Sequence, residues 1–285
     1  MVDSLIQFED GVRGVAALIG GFARRIKGAA TLVDLAAHAI EAEMPLTEVA
    51  AARLGEPLNL RMVRLLAPID LPDPARLHVS DSGAPPANRA GSEPAGWRYR
   101  GDGRSLAGQG TVLTVPEFAL DGSERPEIAG LYLIGADRTP VRIGFVLGNR
   151  FHDHAAARTH RHFPAQLSPR PTALGPEVRL GDLPREIIVT SRLLRDGVVH
   201  RERSFGAGDA HLPQPIADLE RRRFEGGIVG RPGDVLLHFF VAPSGHAEDA
   251  VRTQPDDAFE AFATGFALPM RNAIAFAPRV RARAR

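Results

Sequence analysis

Ala129-Gly130-Leu131-Tyr132-Leu133-Ile134 and Val141-Arg142-Ile143-Gly144-Phe145-Val146-Leu147 are two short runs of β-forming residues with turn residues between them. The same text recurs after Thr111, at Glu186 to Leu194, Gly197 to Arg203 and Asp234 to Val241. The Arg195-Asp196-Gly197 break between two of these runs reads as a hairpin turn. One helix interrupts the strands, beginning at Pro215 in the favoured first-turn position and ending at Gly226-Gly227. Many strands, turn residues between them and few helices predict a β-rich α+β fold, a mixed β-roll or sandwich over residues 111–285.

Working outward, residues 1–70 read as a small N-terminal α/β domain. Val15 to Ala23 fits a strand-and-turn module. A helix is expected over Leu32 to Ala42, where the Thr31 hydroxyl caps the free amides and Asp34 stands at capping-box spacing. A second helix starts at Pro45 or Leu46 and stops at Gly55. Residues 80–110 are dense in Gly, Pro, Ser and Arg, interrupted by Trp97 and Tyr99, and are expected to form a flexible loop or lid.

Composition narrows the function. A chain of 285 residues, 44% hydrophobic and 24% charged, has material for a real core. With no cysteine there is no disulfide, no thiolate nucleophile and no sulfur-bound metal. Lys27 is the one lysine, which argues against Schiff-base chemistry. A net charge of +1 supplies no global field for nucleic acid or acidic membrane, and no apolar run is long enough to span a bilayer. The basic runs at Arg24 to Lys27, Arg221 to Arg223 and Arg279 to Arg285 read as solvated faces and a tail. A cytoplasmic protein is expected.

Two clusters carry functional side chains. Asn149-Arg150-Phe151-His152-Asp153-His154, with His160 and His162 beyond, offers candidate metal ligands, but no partner stands at ligand spacing on an identified helix. Glu124-Arg125-Pro126-Glu127 leads into the first strand, where alternation puts Arg125 and Glu127 on one face and Glu124 on the other. Pro243-Ser244-Gly245-His246 lacks the strand-elbow-helix setting of a hydrolase serine and reads as a turn. Gly101-Asp102-Gly103 and Gly206-Ala207-Gly208 lack phosphate-loop and dinucleotide spacing.

Taken together, several segments resemble the fumarylacetoacetate hydrolase family, closest to its bacterial sugar-acid, GguC-like branch. They are Leu65 to Asp70, Phe118 to Gly122, Pro126 to Ile134, Gly144 to Asn149, Asp153-His154, Leu174 to Glu177 and Gly181 to Pro184. Arg231 to Asp234, His238 to Phe240 and Arg252 to Pro255 complete the set. The resemblance implies a mixed β-roll with a pocket at its mouth, a homodimer, and chemistry on oxo acids or 1,3-dioxo acids. It also implies a divalent cation (Mg, Mn or Ca) held by a Glu-x-Glu pair and a further acid, with a supporting lysine and a water-activating histidine.

This sequence departs from that pattern. Arg125 stands for the first Glu of the pair while Glu127 keeps the second; Arg150 stands for the acid after Asn149, and Ser168 for the lysine. No histidine lies between His78 and His152, where the water-activating group belongs. The expectation is a lost metal site, no cofactor, and an anionic small-molecule substrate held by Arg125, Arg150 and Ser168. Glu127 would orient the arginines, and Asp153 and His154 would be the acid–base groups. Lyase, decarboxylase, isomerase or cyclase chemistry then fits better than hydrolysis. The alternatives are a non-catalytic binding protein of the same fold and an ordinary metal-dependent oxo-acid enzyme.

Overall fold

The computed structural model describes residues 1–83, 96–153, 155–156, 171–225, 230–242 and 252–278. The chain opens with β1 (Ser4–Glu9), β2 (Arg13–Ile19) and β3 (Phe22–Ile26), then α1 (Leu32–Glu41), α2 (Leu46–Ala52), β4 (Leu54–Leu58) and β5 (Arg64–Leu65). Next come β6 (Leu77–Asp81), β7 (Arg98–Asp102), β8 (Leu106–Ala107), β9 (Leu113–Val115), β10 (Pro126–Ile134), β11 (Pro140–Arg150) and β12 (Thr172–Arg179). The C-terminal part holds β13 (Ile188–Arg195), β14 (Val198–Gly206), α3 (Ile216–Glu225), β15 (Val235–Phe239), β16 (Ala258–Ala263) and β17 (Met270–Phe276).

Local chemistry explains the main elements. The Thr31 hydroxyl accepts the Asp34 amide at 3.1 Å and starts α1. Leu32, Leu35, Ala36 and Ala39 then fall on one buried face at helical spacing. Asp196 and Gly197 both have positive φ, 52° and 76°, as a tight two-residue hairpin turn between β13 and β14 requires.

Two mixed sheets result. The twelve-stranded sheet runs β4-β3-β2-β1-β12-β11-β10-β15-β6-β7, with β5 added on β1 and β8 on β12; the five-stranded sheet runs β14-β13-β16-β17-β9. Because β1 pairs antiparallel with β12, with Ser4 opposite Arg179, the strands of residues 1–70 join the large sheet instead of forming a sheet of their own. Residues 80–110, expected as a loop or lid, include the end of β6 and all of β7 and β8; residues 84–95 lie outside the described set.

Strands β10 to β12 are covered on both faces. Leu131, Val146 and Val178 pack with Leu5, Val15 and Leu35 in one cluster, while Ile128, Phe145 and Leu147 pack with Val189, Leu193, Phe259 and Ile274 in another. With successive side chains pointing to alternate faces and both faces covered, all nine residues of β10 are buried. At the end of β10 where the chain enters from Arg125, the first apolar layer gives way to charge.

Candidate functional site

Antiparallel pairing of β10 with β11 sets Pro126 opposite Asn149, so Arg125 and Arg150 lie together at one sheet end. Asn149 fixes this corner: its Oδ1 accepts the Arg125 amide at 2.7 Å, and the Arg150 amide donates to the Arg125 carbonyl at 3.0 Å. Glu127 points to the same face by alternation. Its carboxylate accepts the Arg150 fork, Nη2 to Oε1 at 2.7 Å and Nε to Oε2, and also accepts Arg125 Nε at 3.1 Å.

The remaining nitrogen of Arg150 reaches across the sheet. Its Nη1 donates to Asp81 Oδ2 at 2.9 Å, and Asp81 sits at the end of β6, two strands from β10 in the order β10-β15-β6. Asp81 is fully buried and also accepts Arg98 Nε at 2.9 Å and Arg100 Nη1 at 3.2 Å. A register shift at Val79/Ser80 lets both Arg98 and Arg100 of β7 address that one carboxylate.

Among the described residues, four guanidinium groups thus share two carboxylates, an excess of two positive charges in a largely buried place. Burial alone would raise the Asp81 pKa, but Arg150, Arg98 and Arg100 together hold it well below the usual carboxylate range. For Arg150, the attraction of Glu127 and Asp81 outweighs burial and raises its pKa. Arg100 and Arg125 are pushed the other way by burial and by the charge of Arg150, Arg100 to about 10, which still leaves it cationic at neutral pH. Arg100 Nε is buried with no hydrogen-bond partner.

The other predicted site residues are placed differently. Asp153 is buried, and both its oxygens accept backbone amides, Leu120 at 2.7 Å and Ala156 at 2.8 Å. His154 and Ser168 lie outside the described residues, as do His160, His162 and the 243–246 motif. Glu124 takes the opposite face, as alternation requires, and pairs with Arg201. Among the described residues, no group of three or more His, Asp or Glu side chains is placed to hold a metal ion. Nor is any helix there long and apolar enough to cross a membrane.

Sequence reasoning missed Asp81, Arg98 and Arg100. An Asp closing the alternating run Leu77-His78-Val79-Ser80, and two arginines two residues apart, were the available signals. It also missed His238, buried on the opposite face of the sheet from Asp81. Its Nδ1 lies 2.9 Å from Ser80 Oγ, and its Nε2 has no partner. Burial, reinforced by Arg223, lowers the His238 pKa to about 3.

No family model matches the sequence, and no curated protein matches it. Solved structures do match. A 2-keto-3-deoxy-D-arabinonate dehydratase complexed with magnesium and 2,5-dioxopentanoate superposes with a TM-score of 0.68 at 12% identity, over 97% of this chain and 100% of that one. The chain has the fumarylacetoacetate hydrolase-type fold. A 2-hydroxyhepta-2,4-diene-1,7-dioate isomerase from Mycobacterium marinum matches with a TM-score of 0.61 at 15% identity, over 97% of this chain and 100% of that one. A 5-carboxymethyl-2-hydroxymuconate delta-isomerase from Mycobacterium smegmatis gives 0.60 at 16%, over 96% and 100%. At such identities the fumarylacetoacetate hydrolase-type likeness is one of architecture, and the chemistry has to be argued from the charged cluster.

Proposed function

We propose that this chain is a fumarylacetoacetate hydrolase-like enzyme that binds a small oxo-acid or dicarbonyl-like anion without a divalent cation. The observation that carries this reading is the charge excess: Arg98, Arg100, Arg125 and Arg150 against Asp81 and Glu127. A buried site with surplus guanidinium charge attracts a carboxylate or enolate, to which a planar fork donates paired hydrogen bonds. As an enolate forms, the same groups stabilise its oxygen because they are already oriented towards it. Reactions that pass through an enolate, namely lyase, decarboxylase, isomerase or cyclase chemistry, are the classes such a site serves. Ser168 is a further substrate contact in this reading.

A magnesium-type ion does not fit these residues. Both oxygens of Glu127 already accept guanidinium donors, and so do both oxygens of Asp81. A dication about 5 Å from a guanidinium would meet repulsion of several kcal/mol even at an effective dielectric near 20. The likeness to the sugar-acid branch rests on scaffold segments, whereas the lost acidic cage sets this site apart from it.

Asp153 and His154 are the acid–base candidates. Since the Asp153 carboxylate is engaged by two amides, proton transfer falls to His154 and anchoring of its segment to Asp153. A homodimer belongs to the same reading.

One observation favours the alternative, a non-catalytic binder of this fold: Arg150 has Nε, Nη1 and Nη2 all engaged by Glu127 and Asp81. Both readings require an anion site, and the test begins there. Oxo acids should raise the thermal midpoint of the purified protein, and Arg125→Ala should abolish that rise. Magnesium or manganese should leave the midpoint unchanged, and metal analysis should find far less than one ion per chain. A stoichiometric ion bound through Glu127 would overturn the proposal. Turnover of a stabilising oxo acid, lost in His154→Ala, separates enzyme from binder.

A further inference from the structure

Among the described residues, β7 is the outermost strand of the large sheet and pairs only with β6. It nonetheless carries Arg98 and Arg100 to Asp81, a carboxylate that Arg150 already engages. The charges of Arg150 and Arg98 both act against that of Arg100, so repulsion works to push this edge strand outward. A hold on β7 comes from the other face of the sheet. Ser80, next to Asp81 in β6, turns its hydroxyl to that face, 2.9 Å from His238 Nδ1, and there accepts Arg223 Nε at 3.3 Å. Arg223 comes from α3, is buried, and stacks its guanidinium 4.0 Å from the ring centroid of Trp97, the residue just before β7.

We propose that Arg223 is a positioning residue for the anion site: by clamping Trp97 from behind the sheet, it holds β7 where Arg98 and Arg100 meet Asp81. This rests on the anion-site reading above and adds to it a support, α3, that makes no contact with the anion. In β6, Asp81 serves one face and Ser80 the other. Arg98 on the front and Trp97 on the back, adjacent in sequence, therefore fix the start of β7 from both sides. A planar cation against an indole face sets both a distance and a tilt, and it holds more strongly where water is excluded. The Phe224 ring, its centroid 5.7 Å from the same guanidinium, adds a second aromatic contact from α3 itself. Without the clamp, β7 keeps one ladder and one carboxylate shared by three cations, and its arginines lose their fixed aim.

Calorimetric titration of the purified protein with pyruvate and with 2-oxoglutarate, together with amide hydrogen exchange, tests this. Arg223→Leu should bind whichever acid the unaltered protein binds about fivefold more weakly, the equilibrium worth of one such stack, with unchanged stoichiometry. The amides of Arg98 to Asp102 should exchange faster by a similar factor, because their local opening no longer has to break the stack. Trp97→Leu, the other half of the stack, should do the same, and the double variant should lose no more affinity than either single one. Arg223→Lys, which keeps the cation, should recover part of the affinity. A stack that only stabilises the molecule as a whole would lower the thermal midpoint but leave the affinity of the folded protein and the local exchange of β7 unaltered. That result would overturn the positioning role while leaving the anion site standing, and so would additive losses in the double variant. Binding of neither acid by the unaltered protein would overturn the anion-site reading and the positioning role with it.

Discussion

Arg150 and Glu127 face each other from adjacent strands as a two-point fork, both side chains buried, with Arg150 Nη2 2.7 Å from Glu127 Oε1. Truncating one partner of such a pair leaves the other charge in the interior, at a cost of roughly 3–5 kcal/mol. Glu127 keeps Arg125, and Asp81 keeps Arg98 and Arg100, so the lower end of that range is expected for Arg150→Met. Urea unfolding measures it. The double variant with Glu127→Gln should lose clearly less than the sum of the single losses, because the stranded carboxylate is gone. A single-variant loss under about 1 kcal/mol would mean that the cluster is looser than described.

His238 sets a separate acid dependence. It is neutral in the folded chain down to about pH 3 but titrates near the ordinary histidine value of 6.5 once unfolded. The unfolded state therefore binds the extra proton. Stability is complete above the unfolded value and falls as pH drops from there, with a slope approaching about 1.4 kcal/mol per pH unit. Asp81, whose folded pKa is depressed, adds its own loss only below its unfolded value of 3.8. The two windows are thus distinct. In His238→Gln, denaturation followed from about pH 6 to 4 should be nearly flat, with the loss beginning only where carboxylates protonate.

Much of the fold is legible in the sequence because strand and cap signals are local. Thr31 starts α1, Asp196-Gly197 turns β13 into β14, and the apolar alternation of β10 needs no partner to be seen. Arg125, Glu127 and Arg150 are legible too, since two adjacent strands bring them together at short sequence distance. Asp81, Arg98 and Arg100 are not. Their role depends on β6 pairing parallel with β15 and on a bulge against β7, long-range register that no local pattern encodes. The same holds for residues 1–70: nothing in their text shows that β1 pairs with β12 across more than half the chain.

Asp153 holds two segments together, and its replacement separates anchoring from chemistry. Its carboxylate accepts amides from Leu120 on one side and Ala156 on the other. Asparagine keeps the shape but turns one acceptor into a donor facing an N–H. One buried amide is then left unsatisfied, at about 1–3 kcal/mol. Asp153→Asn should lower the unfolding free energy by that amount, while Asp153→Ala, which strands both amides, should lower it further. If denaturation shows no loss in either variant, the carboxylate is not an anchor and its place in proton transfer has to be reconsidered.

Trp97 offers a direct optical reading of the site. It is the one tryptophan in the chain, it adjoins Arg98 in sequence, and the Arg223 guanidinium stacks 4.0 Å from its ring centroid. An anion drawn to Arg98 and Arg100 changes the charge next to that ring in the chain, although the ring itself stacks on Arg223 on the other face of the sheet. An oxo acid that raises the thermal midpoint should therefore alter tryptophan emission saturably. Arg223→Leu removes the stacked cation, at a stability cost of about 0.5–2 kcal/mol, and should shift the emission of the free protein. The ligand-dependent change should persist in Arg223→Leu and vanish in Arg100→Gln, because Arg223 packs on the ring whereas Arg100 keeps an unpartnered donor. An emission change that survives Arg100→Gln at full amplitude and unchanged affinity would place the bound anion away from β7.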